Sequence, residues 1–205
     1  MVDFNFDKNF KDPIVGIDEV GRGSWAGPVM AGAALLNFEK PIHKKLNDSK
    51  KLASKVRYEI FENLKENSSY GIGEASNFEI DKHGIQNATF FSMERALKDL
   101  IKKLHYIKLS TLLIDGTQMP YFKNKFSADI KLIKNGDALS PSIAAASIFA
   151  KCTRDILMNK MDEDYNGYGF KTNMGYGTKL HKKKLLISGP TQIHRMTFSP
   201  MKNLL

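Results

Sequence analysis

Apolar runs that end on acids or glycines alternate along this chain with longer stretches in which apolar residues recur every three or four positions. Pro13 to Ile17 reads as a buried strand that runs straight into Asp18 and Glu19. Pro28 to Leu36 is small and apolar, which predicts a second strand antiparallel to the first. A helix is expected over Ser54 to Glu66, with Ser54 as N-cap and Val56, Ile60, Phe61 and Leu64 on one face. Tyr70 to Ala75 predicts a short third strand. Phe78 to Leu104 predicts a long helical region, with Ile85, Ala88, Ala96, Leu97, Leu100, Ile101 and Leu104 as its stripe. Thr111 to Ile114 is apolar throughout, as in a sheet covered on both faces, and it ends on Asp115 and Gly116. Phe126 to Ile133 predicts a further strand, leading to Lys134-Asn135-Gly136-Asp137. Ser140 followed by Pro141 is a helix start, and Ala144, Ala145 and Ala146 let that helix approach a neighbour closely. A basic helix is expected around His181 to Ile187. Residues 1 to 11 lack periodicity and are expected to be a loosely held arm.

Charge and composition narrow the function classes. Lys and Arg number 31 against 22 Asp and Glu, a net charge of +9 in 205 residues, which favours a polyanionic partner such as nucleic acid. No apolar run reaches the roughly 18 residues of a membrane helix, and the first dozen residues are too polar for a signal peptide, so a cytoplasmic protein is expected. Cys152, the one cysteine, cannot form an internal disulfide and is expected as a buried reduced thiol. The five histidines, His43, His83, His105, His181 and His194, are scattered and suggest no zinc site. Nothing indicates oligomerisation, so a monomer is expected.

The candidate chemistry lies in the acids. Asp18, Glu19, Asp115 and Asp137 all fall at strand ends or glycine turns, and neighbouring strands would bring the four carboxylates to one edge of the sheet. Hard oxygen ligands without histidine or thiolate favour Mg²⁺ or Mn²⁺. Two such ions about 4 Å apart can activate water and stabilise the leaving oxygen of a phosphodiester. In a regular strand Asp18 and Glu19 would point to opposite faces, so either the strand has ended by Glu19 or Glu19 reaches in from a bent backbone. Gly21-Arg22-Gly23 permits positive φ and offers amides and a guanidinium to an anion. The run Gly21 to Gly27 lacks dinucleotide-fingerprint spacing, and acids precede it, which excludes a Rossmann reading. Lys50, Lys51, Lys151 and Arg154 are candidate phosphate contacts. The glycine- and aromatic-rich stretch from Tyr165 to Thr178, interleaved with basic residues, has the makings of a stacking surface.

The motifs IDEVGRG-x-x-AGPV, NDSKKL, LLIDG, GD and SIAAASI-x-AK-x-TRD, in that order, resemble bacterial ribonuclease HII, over about Ile14 to Pro200. The resemblance implies an α/β fold: the ribonuclease H-like three-layer α/β/α sandwich with a mixed five-stranded sheet and a helical C-terminal extension. The implied organisation is an arm over 1–12 and one catalytic domain over 13–205, with about 165–205 contacting substrate. It also implies that Asp18, Glu19, Asp115 and Asp137 are the catalytic, metal-holding acids of a two-metal site for Mn²⁺ or Mg²⁺. Gly21, Arg22 and Gly23 would read the ribose 2′-hydroxyl, and Tyr176 would stack on the neighbouring sugar. The implied activity is cleavage of the RNA strand of RNA–DNA hybrids, and of duplex DNA on the 5′ side of an embedded ribonucleotide, leaving 3′-hydroxyl and 5′-phosphate ends. A hybrid-binding protein without catalysis is the alternative, and four acids at strand ends weigh against it. Ribonuclease HIII carries a further N-terminal domain, expected to be absent where about a dozen residues precede the first strand. Three positions depart from the family pattern: Ser24-Trp25 follows the glycine motif, Met174 stands where lysine is common, and Lys134 to Asp137 has one residue more than the usual approach.

Overall fold

The computed structural model describes residues 2–104 and 107–203, and His105 lies outside them. Five strands, β1 (Ile14–Val20), β2 (Val29–Leu36), β3 (Ser68–Ala75), β4 (Thr111–Asp115) and β5 (Asp129–Ile133), form one sheet in the order β3-β2-β1-β4-β5. β1 pairs antiparallel with β2 and parallel with β4, so the sheet is mixed, as expected. The helices are α1 (Ser54–Asn67), α2 (Asn77–Lys103), α3 (Pro141–Asp164), the single turn α4 (Phe170–Asn173) and α5 (Lys179–Ser188). None of them is long and apolar enough to cross a membrane.

Strand alternation sorts the sheet into two buried faces. Val15, Ile17, Ala31 and Ala33 pack with Phe90, Met93, Leu97 and Leu100 of α2. Ala34 and Leu36 face the other way, toward Ile60 and Leu64 of α1 and Ala145, Ile148 and Phe149 of α3. At Gly16 the backbone of α3 lies directly on β1, and a β-carbon there would overlap Ser142 and Ile143. Such a backbone-to-backbone contact needs small residues on both elements, and the alanines of α3 meet that need.

The boundaries depart from the sequence pattern in places with physical reasons. β1 continues to Val20, because Glu19 and Val20 pair with Ala31 and Met30. α1 starts at Ser54, but its cap is Ala53 and no side chain serves it. α2 opens with a Ser76–Glu79 capping box, and it kinks at Gly84, where φ is 79°. β5 begins at Asp129, since Phe126 and Ala128 leave the strand to pack on the α2 side of the core.

The first residues are not a loose arm. Val2 is buried, and the buried carboxylate of Asp7 accepts from Ser140 Oγ (2.6 Å) and from the Ser142 amide (3.1 Å). Ser140 Oγ in turn accepts from the Ile143 amide (3.2 Å). Asp7 thus satisfies the Ser142 amide, and Ser140 the Ile143 amide, at the start of α3, where the helix dipole also favours negative charge.

Candidate active site

Three acids meet on the α3 face of the sheet. Asp18 projects from β1, Asp115 ends β4, and Asp137 sits in the single 3₁₀ turn Gly136–Ala138 that leads into α3. One carboxylate oxygen from each lies within 4.8 Å of the others. Asp115 Oδ1 accepts from the Gly136 amide at 2.7 Å, which fixes the turn against β4. Asn135, in the left-handed conformation, reverses the chain so that Asp137 points back to the cluster.

This arrangement costs free energy without a cation. Burial raises the pKa of Asp18 well above the usual carboxylate range, and the charges of Glu19 and Asp115 raise it further. Burial likewise raises Asp115, with Asp137 adding to the effect against the Gly136 hydrogen bond. The nearest countercharge is the Lys50 ammonium, 3.6 Å from Asp137 Oδ2. Hard, oxygen-only donors and an excess of negative charge fit a divalent cation of the Mg²⁺ or Mn²⁺ type.

Glu19 is not part of that cluster. β1 continues through Val20, so the strand has not ended by Glu19, and alternation points Glu19 to the α2 face, where it shares a cleft with Asp115. Burial raises its pKa, Arg22 opposes the rise, and the charge of Asp115 adds to it. Arg22 donates to Glu19 at 3.4 Å and to Gln86 at 2.8 Å. Together with Asp115, Thr117 and Gln118 these side chains line a cleft of about 200 Å³ beside the three acids.

The loop from Gly21 to Pro28 is fastened from behind by two arginines. Arg195, fully buried, donates to the carbonyls of Gly21 (2.7 Å), Arg22 (2.8 Å) and Gly27 (3.0 Å). Arg154, also fully buried, donates to those of Pro28 (3.0 Å), Ala26 (3.2 Å) and Met174 (2.8 Å). These carbonyls are directed inward onto two cations that no carboxylate contacts among the described residues. The expectation that Arg154 reaches a phosphate is therefore corrected: a guanidinium with no exposed surface serves as an internal strut. Lys151 is likewise held in the protein, 2.7 Å from Asp155, which also pairs with Arg57. Lys51 leans toward Asp48 at 3.9 Å rather than toward the acids.

Tyr176 comes to the same loop from the C-terminal part. The residue is 39% exposed, and a β-carbon on Gly23 would lie 3.9 Å from its ring. Trp25, for which the sequence offers no explanation, fixes this approach. Its amide donates to Gly175 O at 2.8 Å, and its indole lies so close to Gly177 that a β-carbon there would overlap it. Met174 packs into the same apolar cluster as Trp25, with Met158 and Phe170.

Comparison with known proteins places this geometry in a family. The family model described as Ribonuclease HII matches residues 15–201. The chain belongs to the ribonuclease HII family. Ribonuclease HII of Pelagibacter ubique (strain HTCC1062) is 45% identical over 193 residues, covering 94% of this chain and 98% of that protein. That of Wolbachia sp. subsp. Brugia malayi (strain TRS) is 42% identical, covering 98% and 95%. Among solved structures, the RNase HII in the PCNA complex from Archaeoglobus fulgidus superposes with a TM-score of 0.73 at 21% identity, covering 90% of this chain and 94% of that one. Bst-RNase HIII in complex with Mn²⁺ gives 0.75 at 18% identity, covering 92% and 68%. These two show a shared ribonuclease H-like fold. As a ribonuclease HII, the chain is a divalent-metal-dependent hydrolase with ribonuclease H endonuclease function, in a family that acts on RNA–DNA hybrids.

Sequence reasoning missed several residues that shape this ribonuclease HII site. Arg195 and Gln86 gave no signal, since single polar residues in a tail or on a helix read as solvated. His181 and His194, distant in sequence, meet in space with their Nε2 atoms 2.9 Å apart.

Proposed function

We propose that this protein hydrolyses the phosphodiester on the 5′ side of a ribonucleotide, both within RNA–DNA hybrids and where one ribonucleotide is embedded in duplex DNA. The observation that carries the reading is the acid cluster of Asp18, Asp115 and Asp137, beside which β1 runs into the loop of Gly21 to Gly23, with Tyr176 close to Gly23. Asp18, Asp115 and Asp137 would hold divalent cation, Mg²⁺ or Mn²⁺ in a two-ion site, with Glu19 bordering it from the adjoining cleft. Bound there, the ions would supply water activation and charge stabilisation at the leaving oxygen.

The protein's own groups do the selecting. Only the 2′-hydroxyl separates ribose from deoxyribose, so amides of Gly21 and Gly23 that hydrogen-bond it constitute the test for RNA. Arg22, half-exposed and tethered by Gln86, grips the adjoining phosphate. Tyr176 stacks on the following sugar, and Lys50 neutralises charge near Asp137. Water oxygen attacks phosphorus, the P–O3′ bond breaks, and the products carry 3′-hydroxyl and 5′-phosphate ends. The net charge of +9 and the glycine-rich segment 165–178 support contact with the duplex beyond the cut. A monomer acting in the cytoplasm completes the proposal.

The test is a duplex carrying one ribonucleotide, incubated with Mg²⁺ or with Mn²⁺. Cleavage on its 5′ side, abolished by Asp18→Asn with binding retained, is expected. Binding without cleavage under either metal would overturn the proposal.

A further inference from the structure

Two buried histidines link the C-terminal segment to Tyr176, and their hydrogen bonds fix both tautomers. Burial leaves His181 and His194 with 0% and 1% of their surface exposed. The Thr191 amide donates to His194 Nδ1 at 2.8 Å, and a backbone amide can only donate. His194 Nδ1 is therefore bare, and the proton of the neutral ring sits on Nε2. That N–H points at His181 Nε2, 2.9 Å away, which must accept. The proton of His181 is then on Nδ1, 3.0 Å from the carbonyl oxygen of Tyr176. The donations run in one direction, from Thr191 through His194 and His181 to Tyr176. A second proton on His181 would set two N–H groups against each other across the His–His contact, and one on His194 would set its Nδ1–H against the Thr191 amide.

We infer that this neutral histidine pair is a positioning relay for Tyr176: it holds the tyrosine's backbone so that the ring meets the sugar beside a single ribonucleotide. The inference rests on the proposed stacking role of Tyr176. The surroundings favour neutral rings. Trp25 packs on His181, and Tyr168 and Phe170 pack on both rings. From α2, Asn77 donates to the His194 carbonyl at 3.2 Å, and Asp81 is engaged by the amides of Met196 and Thr197. The charged groups nearby are cationic: Lys184 lies over the Tyr168 ring, and Arg195 follows His194. Among the described residues no carboxylate bonds either imidazole. Burial accordingly lowers the pKa of both, and His181 lowers that of His194 further, to about 4.

His194 touches neither Tyr176 nor the acids, so it tests the relay as a relay. His194→Gln keeps an acceptor for Thr191 and a donor for His181 but cannot titrate; His194→Phe keeps volume and breaks the chain of bonds. The readout is kcat/KM on a duplex with one embedded ribonucleotide divided by kcat/KM on a long RNA–DNA hybrid, with Mg²⁺ at fixed pH. That ratio cancels any general loss of folded or metal-loaded enzyme. His194→Phe is expected to lower it at least fivefold and to speed amide exchange over residues 174–178, while His194→Gln stays within twofold of the parent. An unchanged ratio in His194→Phe, or an equal loss in His194→Gln, overturns the inference. Tyr176→Ala separates the two ideas: if it leaves the ratio unchanged, the stacking role falls, and the relay then stands or falls on amide exchange alone. Should His194→Phe not fold, imidazole ¹⁵N spectra of the parent protein decide, and a proton on His194 Nδ1 overturns the relay.

Discussion

Replacing Arg195 by methionine tests how the loop from Gly21 to Pro28 is held. The guanidinium has no exposed surface, and it donates to three backbone carbonyls at 2.7, 2.8 and 3.0 Å. Methionine fills much of the volume but donates nothing, so those carbonyls lose their partner. Hydrogen bonds to a charged group contribute about 1.5–3 kcal/mol each. Two considerations reduce the sum: the Arg22 carbonyl is only partly buried and can be hydrated, and removing a cation without a carboxylate partner relieves its desolvation. A net loss of about 4 kcal/mol follows. For a chain of this length it corresponds to a fall in Tm of roughly 8–16 °C. Thermal unfolding measures the loss, and kcat/KM on the two substrate types locates its consequence. Cleavage at a single embedded ribonucleotide is expected to suffer more than cleavage of long hybrids, because the acids stand on other elements. Arg195→Lys is expected to recover only part, since one ammonium cannot span three carbonyls. A loss below about 1 kcal/mol with selectivity intact would refute the reasoning.

Three further outcomes are expected. In chelator, Asp18→Asn should raise Tm, because it removes the charge that burial, Glu19 and Asp115 all disfavour; a lower Tm would count against the crowded-charge account of the cluster. His194 has its pKa lowered from 6.5 to about 4, so the unfolded chain binds the extra proton first, and the contribution is complete above pH 6.5 and lost as pH falls toward 4. The parent should therefore lose about 3 kcal/mol more than His194→Gln over that window in urea titrations, and parallel curves would exclude it. Gly16→Ala, whose methyl would overlap the backbone at Ser142 and Ile143, should cost about 3 kcal/mol or more and weaken calorimetrically measured Mn²⁺ binding by shifting α3 and Asp137 from β1. Unaltered Mn²⁺ affinity would show that the acids tolerate such a shift.

What could be read from the sequence follows from range. The apolar runs into Asp18 and Asp115 and the Ser140-Pro141 helix start are local signals, and β1, β4 and α3 form where those signals put them. Which face Glu19 takes was not local, because it depends on β1 pairing with Ala31 and Met30 beyond its apolar run. Arg154 looked like a surface charge because most arginines are; only the fold shows three carbonyls converging on it. Asp7 reaches Ser140 across 133 positions, and no pattern in the first eleven residues announces it. Trp25, opaque in sequence, is explained by a glycine that lies 152 positions downstream of it.

Arg195 lies 174 positions after the Gly21 carbonyl it holds. All three acids of the cluster, and the whole of α3, leave the ribosome before it does. In the order of synthesis, the chain has the three clustered acids before it has the residue that fastens the loop from Gly21 to Gly27. A chain lacking Arg195 would keep the acid cluster but lose the three hydrogen bonds that hold this loop. On the proposed role of that loop, the order of synthesis separates the acids from the residue that fastens the loop beside them.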